Sequence, residues 1–247
     1  MAKNSQFYKK NHYNIKIYGY HSVIAALKNN NRRKKRLILT ENSAKIFNKR
    51  FEGNVPEIKI ISKKDFDKTY YLEENNQGIV LEASELPNIS INAIINQTDK
   101  ETHSILIMLD RVNDPQNIGS IIRSAALFGC KAVIGSSDNF PKMNSTIIKS
   151  ASGGVEIVNY IEVTNLVRCI QEFKKKNFWI IGLDSGSNQT IDKFDIPSKC
   201  LLVIGSEYSG LRKLTKKNCD YLISIKSKNI MDLEIDSLNV SSATSIA

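Results

Sequence analysis

The chain has 247 residues, 41% of them hydrophobic and 24% charged, and carries a net charge of +10. Such a composition supports a real core in one large domain or two small ones, and it excludes bulk disorder. No apolar run approaches the roughly 18–20 residues of a membrane span, and the polar stretch from Met1 to Lys16 lacks the apolar centre of a secretory signal, so a cytoplasmic protein without a membrane partner is expected.

In chain order, residues 1–14 are polar and read as a disordered tail. A short strand is expected from Ile15, followed by a helix over His21 to Lys28 and a basic turn. The apolar run Arg36-Leu-Ile-Leu-Thr40 reads as a strand, Ser43 to Arg50 as a helix and Ile58 to Ile61 as a strand. Ser62 followed three residues later by Asp65 predicts a capped helical turn, and Gly78-Ile-Val-Leu-Glu-Ala83 a closing strand. Residues 15–84 thus form a small α/β module. Residues 85–103, with Pro87 and scattered polar residues, read as a linker with one helical turn.

From residue 104 onward, short apolar runs typical of strands buried on both faces alternate with helical segments. The strands are expected at Ile105 to Leu109, Ala132 to Gly135, Val155 to Val163, Phe178 to Leu183, Leu201 to Ile204 and Tyr221 to Ile225. Helices are expected near Asn117 to Phe128, Ser145 to Ser150, Leu166 to Lys176 and Gly210 to Lys217, with a last one opening near Ser237. The alternation predicts an α/β domain built on a mostly parallel sheet.

Charge divides the chain at the same boundary. Residues 1–84 hold 17 Lys/Arg against 8 Asp/Glu, a net of +9, whereas residues 85–247 hold 18 against 17, a net of +1. The densest run is Arg32-Arg33-Lys34-Lys35-Arg36. A solvated face is the plain reading of such a run; a polyanion-binding module, with nucleic acid as the natural polyanion, is the sharper one. The four cysteines, Cys130, Cys169, Cys200 and Cys219, are far apart and form no CxxC pair. Their spacing suits neither a zinc cluster nor a disulfide framework, so no metal and free buried thiols are expected.

Three segments interrupt the core-building pattern, each after an apolar strand, where ligands bind in open parallel sheets. The first, Asp110-Arg-Val-Asn-Asp-Pro-Gln-Asn-Ile-Gly-Ser-Ile-Ile-Arg123, offers Asn117 and Arg123; taken alone, Asn117 reads equally as a helix N-cap and Arg123 as a solvated charge. The second, Gly205-Ser-Glu207-Tyr-Ser-Gly210-Leu, sets a carboxylate at a strand tip, with Gly205 allowing close backbone approach. The third, Asp236-Ser237-Leu238-Asn239-Val240-Ser241, also reads as ordinary capping. No GxGxxG element follows a strand, which argues against a nicotinamide-binding fold.

Taken together, NxGxxxR, then GSExxGL, then SLNVS resemble the SpoU (TrmH) family of RNA ribose 2′-O-methyltransferases in the SPOUT superfamily. Ile17-Tyr18-Gly19 and Asn76-Gln77-Gly78 are similar to the substrate-binding domain of members that methylate a guanosine ribose of 23S ribosomal RNA. The resemblance implies a catalytic domain over residues 104–247 with a C-terminal knot, a rare exception to unknotted topology. It implies S-adenosyl-L-methionine as cofactor, held by backbone at Gly205, Ile225 and Leu238 and around Gly182 and Leu183. It assigns the catalytic polar set to Asn117, Arg123, Glu207, Ser237 and Asn239. It further implies a homodimer with Arg123 serving the partner's cofactor, and 23S ribosomal RNA as partner; the charge distribution, for its part, assigns the RNA contact to Arg32, Arg33, Lys34, Lys35 and Arg36. A tRNA methyltransferase and a non-catalytic RNA-binding protein on the same fold are the competing readings.

Overall fold

The computed structural model describes residues 15–51, 53, 55, 57–70, 76–226 and 238–247. The expected N-terminal tail and Ser237 lie outside them. The chain divides into two compact units, Met1–Pro87 and Asn88–Ala247.

In the first unit, β1 (Ile15–Tyr18), α1 (Tyr20–Lys28), β2 (Lys34–Thr40), α2 (Glu41–Arg50), β3 (Ile58–Ile61), α3 (Lys63–Thr69) and β4 (Ile79–Ala83) follow one another. The sheet order is β1-β4-β2-β3, with β4 antiparallel to both neighbours and β3 parallel to β2. Strand alternation sorts the core into two faces. Tyr18, Ile38 and Val80 pack with Phe66 and Tyr70 of the α3 region, leaving Ile17, Leu37, Leu39, Ile79 and Leu81, all buried, for the other face. Helix α2 starts two residues earlier than the sequence pattern suggests. Thr40 caps it, accepting from the Ser43 amide while the Ser43 hydroxyl accepts from the Thr40 amide. Ser62 caps α3 in the expected way, accepting from the Asp65 amide at 3.1 Å.

The expected basic turn is present over residues 30–32, but β2 starts two residues earlier than expected, so Lys34 and Lys35 join Arg36 in the strand. Arg32 just before it is 3% exposed, and its Nη1 donates to the Ser84 carbonyl at 2.7 Å. Arg36 pairs with Glu82 at 3.0 Å and lies 3.9 Å from Glu57. Arg33 and Lys35 are the exposed members of the run.

The second unit comprises α4 (Ile91–Asp99), β5 (Ser104–Asp110), α5 (Pro115–Leu127), β6 (Ala132–Ser136), α6 (Ser145–Ala151), β7 (Asn159–Val163), α7 (Leu166–Lys174), β8 (Trp179–Leu183), β9 (Lys199–Gly205), α8 (Lys213–Asn218), β10 (Tyr221–Ile223) and α9 (Val240–Ile246). Its six strands are all parallel, in the order β10-β8-β9-β5-β6-β7. One face buries Leu106, Met108, Ile134, Ile180, Leu201 and Val203 against α4 and α7. Ile118, Ile121, Ile122 and Ala125 of α5 are buried outside that cluster, so helices cover both faces.

Two expectations are corrected here. The 85–103 stretch holds a nine-residue helix, α4, capped by Ser90 and sending Ile94 and Ile95 into the second unit's core. The expected strand from Val155 begins only at Asn159. Ser152 and Gly153 adopt left-handed backbone and lead into a 3-10 turn over Gly154–Glu156. There Gly154 presses on α5 so closely that a Cβ would lie 3.0 Å from the Ile122 carbonyl oxygen.

All four cysteines are free, and Cys130, Cys169 and Cys200 are buried. Burial pushes the Cys130 and Cys200 thiols up to about 11 and those of Cys169 and Cys219 to about 12. The folded state therefore keeps protons that the unfolded chain loses near its ordinary thiol value. This contribution to stability is full below about pH 8.5 and is lost as the pH climbs through the raised values. Iodoacetamide at neutral pH is expected to modify almost no thiol in the native protein while alkylating all four in urea. Rapid native labelling of Cys130, Cys169 or Cys200 would contradict that burial.

Candidate active site

The sheet's strand order reverses between β5 and β9. From β5 the chain moves through β6 and β7 to one side, then returns to build β8, β9 and β10 on the other. Residues Asp110 and Gly205 are paired at the carboxyl ends of these two central strands, and their loops diverge toward α5 and α8. A crevice outside such a switch point is where open parallel sheets bind ligands.

Asp110 follows the apolar run Ile105 to Leu109 at the end of β5 and is fully buried. It accepts from the Arg212 backbone N at 3.0 Å and from its Nε at 2.6 Å. This pair ties the far end of the 205–212 loop to the tip of β5. Gly205 pinches the near end, since a Cβ there would lie 2.2 Å from the Gly210 carbonyl carbon. Its glycine is thus required for the loop to fold back on itself. At Gly182 a Cβ would crowd Leu211, Leu222 and Cys219, again a packing demand within the chain.

Glu207 sits in the loop held by these two constraints. Its Oε1 accepts from Asn117 Nδ2 at 3.2 Å, Asn239 Nδ2 at 3.0 Å and the Val240 backbone N at 3.2 Å. Asn239 Nδ2 also donates to Asn117 Oδ1 at 2.9 Å. Asn117 is free for this role because Asp114, not Asn117, caps α5, accepting from the amides of Gln116 and Asn117. Asn239 does two jobs at once. Its Oδ1 caps α9 by accepting from the Ser241 amide at 2.9 Å, while its Nδ2 enters the cluster. One carboxylate oxygen with three donors is well satisfied. The cluster therefore fixes the starts of α5 and α9 against the loop.

Arg123 is not part of this cluster. It stands six residues beyond Asn117 on α5, about 9 Å along the axis and roughly 120° around it. Its side chain is exposed, and it makes no hydrogen bond or ion pair among the described residues. Leu183 ends β8, Ile225 follows β10, and both are partly buried at the same sheet end as Gly205, whereas Leu238, just before Asn239, is exposed. These residues fit S-adenosylmethionine: aliphatic side chains for the adenine beside strand ends for its polar groups. No cluster of three or more His, Cys, Asp or Glu suited to a metal occurs among the described residues.

Sequence reasoning singled out neither Asp110 nor Arg212 as site residues. A carboxylate terminating a run of buried aliphatics was the available signal for Asp110. Arg212, 102 residues away, carried none.

Two family models match this arrangement. The SpoU rRNA methylase model covers residues 104–247, and the model for the substrate-binding domain of RNA 2′-O ribose methyltransferases covers residues 16–88. The chain belongs to the SpoU rRNA methylase family. Among its relatives is the 23S rRNA (guanosine-2′-O-)-methyltransferase RlmB of Coxiella burnetii, 34% identical over 93% of this chain and 92% of that protein. Its fold is shared with the SpoU methyltransferase AviRb from Streptomyces viridochromogenes, solved with the cofactor AdoMet, at a TM-score of 0.72 and 19% identity. That match covers 94% of this chain and 86% of the other. An AdoMet-bound rRNA methyltransferase from Sinorhizobium meliloti gives a TM-score of 0.73 at 20% identity, over 94% and 84% of the two chains. The second unit is accordingly a SpoU-type α/β methyltransferase domain, and none of its described helices is long and apolar enough to cross a membrane.

Proposed function

We propose that this SpoU family member transfers a methyl group from S-adenosylmethionine to a guanosine ribose 2′-OH of 23S ribosomal RNA. The meeting of Asn117, Glu207 and Asn239 at the switch point is the observation that carries this reading, because it joins all three family motifs at the ligand end of the sheet. The similarity to 23S guanosine methyltransferases supports the substrate. An rRNA substrate implies a cytoplasmic location in turn.

When bound, the cofactor supplies a methyl group already made electrophilic by its sulfonium sulfur. The protein's task is then to place the 2′ oxygen in line and to stabilise the charge that develops there as the O–C bond forms and the S–C bond breaks. Arg123 is suited to this charge and to a neighbouring phosphate. An arginine does not deprotonate in proteins, so the 2′-OH proton leaves through phosphate or water rather than through Arg123. Asn117, Glu207 and Asn239 act as positioning residues, and the backbone near Gly182, Leu183, Gly205, Ile225 and Leu238 holds the cofactor. Ser237 stands with them by motif, and a C-terminal knot belongs to the same reading.

The protein works as a homodimer. Beyond Arg123, Leu127 at the end of α5 is 77% exposed and Phe128 just after it 67%; beside them lie Ile157 at 68%, after the 3-10 turn, and Ile246 at 53% on α9. Ser124 and Ser245, 2.7 Å apart, join α5 to α9 here. A patch of large aliphatic and aromatic side chains on adjoining elements marks an association surface. Arg123 is one turn before Leu127 on the same stripe, which supports its serving the partner's site. Leu127→Asp with Phe128→Asp is expected to yield a folded monomer by sedimentation; a dimer unaffected by both changes would exclude this face.

Residues 15–84 bind RNA and residues 104–247 carry the chemistry. Arg33 and Lys35 are the residues of the basic run best placed to grip phosphate, since both are exposed, whereas Arg32 serves the fold and Arg36 is half-buried against Glu82; Lys35 lies 3.7 Å from Glu82, a solvent-facing pair that costs little to exchange for phosphate. Replacing both by alanine should lower RNA affinity and reduce the log–log salt slope by about two, with cofactor affinity unchanged by calorimetry. An equal loss of cofactor binding would refute this division of labour. The substrate is tested by mapping 2′-O-methyl groups in ribosomal and transfer RNA of a deletion strain. One guanosine should lose its methyl group from 23S RNA, and an unchanged ribosomal map would reject the substrate.

A further inference from the structure

Tyr208 is 100% exposed, the extreme among the large hydrophobic and aromatic residues of the described chain. It follows Glu207 directly, so neighbouring side chains of one loop serve opposite purposes. Glu207 turns into the polar cluster, and Tyr208 stands wholly in solvent at its lip. Full exposure of an aromatic ring is not explained by packing, and flexibility does not explain it either, because the loop is braced on every side. Gly205 is jammed against Gly210 at the neck. The Gly210 amide donates to the Ser206 carbonyl at 2.9 Å, and the Ser206 and Ser209 hydroxyls are 2.7 Å apart. Arg111, exposed and held at a φ of 63°, donates from Nη2 to Ser209 Oγ at 2.8 Å. A non-glycine residue in left-handed backbone stores strain that the surroundings must hold in place, a recurrent feature of functional sites.

We propose that Tyr208 is a stacking platform for an unpaired nucleobase in the RNA segment that presents the reacting ribose, with Arg111 providing the adjacent positive charge for its phosphate. The proposal rests on the reading of this site as an RNA ribose methyltransferase. Sequence-specific RNA recognition works on single-stranded bases splayed onto aromatic faces. Reaching a ribose 2′-OH in a crevice requires that kind of local unstacking. A rigid loop presents the ring with little ordering cost on binding. A phenol ring on a loop whose next residue, Ser209, holds the Arg111 guanidinium supplies both parts of single-strand recognition, a face for the base and charge for the backbone.

The test uses the full-length protein, S-adenosylmethionine and an unmodified 23S rRNA transcript. Tyr208→Ala should raise the KM for RNA by roughly tenfold, as expected for loss of one stacked base. The cofactor Kd and the oligomeric state should not change. Tyr208→Phe and Tyr208→Trp should stay within about twofold of the unaltered protein, because each keeps a face. Trp179, the sole tryptophan, lies at the opposite end of β8 from the site. In a Trp179→Phe background, the indole introduced by Tyr208→Trp should be quenched on adding the transcript. An unchanged RNA KM for Tyr208→Ala, a parallel loss of cofactor affinity, failure of Tyr208→Phe to rescue, or an unquenched indole would each overturn the proposal. If the unaltered protein methylates the transcript in the same assay, such a result counts against Tyr208 alone; if it does not, the enzymatic reading itself fails.

Discussion

Arg123→Ala is expected to lower kcat for methyl transfer roughly 100- to 1,000-fold, the usual cost of removing one preorganised donor aimed at a developing oxyanion. Cofactor affinity and thermal stability should hardly change. Arg123 is exposed and makes no hydrogen bond or ion pair among the described residues, so no interaction within the fold is lost with it. Arg123→Lys keeps the charge but not the planar fork that engages an oxyanion and a phosphate together. It should recover only a small part of the lost rate. Near-normal turnover in Arg123→Lys would show that charge alone suffices. Near-normal turnover in Arg123→Ala would remove Arg123 from the chemistry altogether.

The second expectation concerns which chain uses Arg123. Within one protomer the Asn117–Glu207–Asn239 cluster and Arg123 are separated along and around α5, and Arg123 shares a stripe with the exposed Leu127. If Arg123 completes the partner's site, inactive Arg123→Ala and Glu207→Ala chains should complement one another. In a mixed dimer, the chain carrying Arg123→Ala keeps its own Glu207 and receives Arg123 from its partner. Coexpression with different tags should then restore about a quarter of the wild-type rate, because half of randomly paired dimers are mixed and each has one intact site of two. An inactive mixture would place both residues in the site of a single chain.

Much of the fold was legible because its signals are local. Continuous aliphatic runs such as Leu106 to Leu109 and Leu201 to Ile204 marked strands buried on both faces, and Pro115 with Asp114 marked the start of α5. Helix α4 was underestimated although Ile91, Ile94, Ile95 and Thr98 follow helical spacing. Pro87 and the polar residues between them mask that stripe, and its stability comes from burial against α7 and the sheet rather than from propensity. Arg32 shows the opposite limit. Nothing in a run of five basic residues distinguishes the one whose guanidinium meets a carbonyl 52 positions away.

The site was legible in kind but not in role. Asn117, Glu207 and Asn239 stand out as polar residues after buried strands, yet their sequence separations of 90, 32 and 122 give local pattern no means of bringing them together. Each was also readable as a cap or a turn, and the structure shows how the readings combine. Asp114 takes the cap that Asn117 was a candidate for, while Asn239 caps a helix and joins the cluster with the same amide. The Asp110–Arg212 brace and the outward ring of Tyr208 depend on loop geometry, which composition and periodicity do not encode.

The central claim, ribose methylation of 23S RNA by this chain, is tested most directly with purified protein, methyl-labelled S-adenosylmethionine and unmodified 23S rRNA digested to nucleosides after reaction. Label is expected in 2′-O-methylguanosine alone, formed roughly 100- to 1,000-fold more slowly by Arg123→Ala. Label on a base, or none on RNA while the folded protein binds the cofactor, would contradict it.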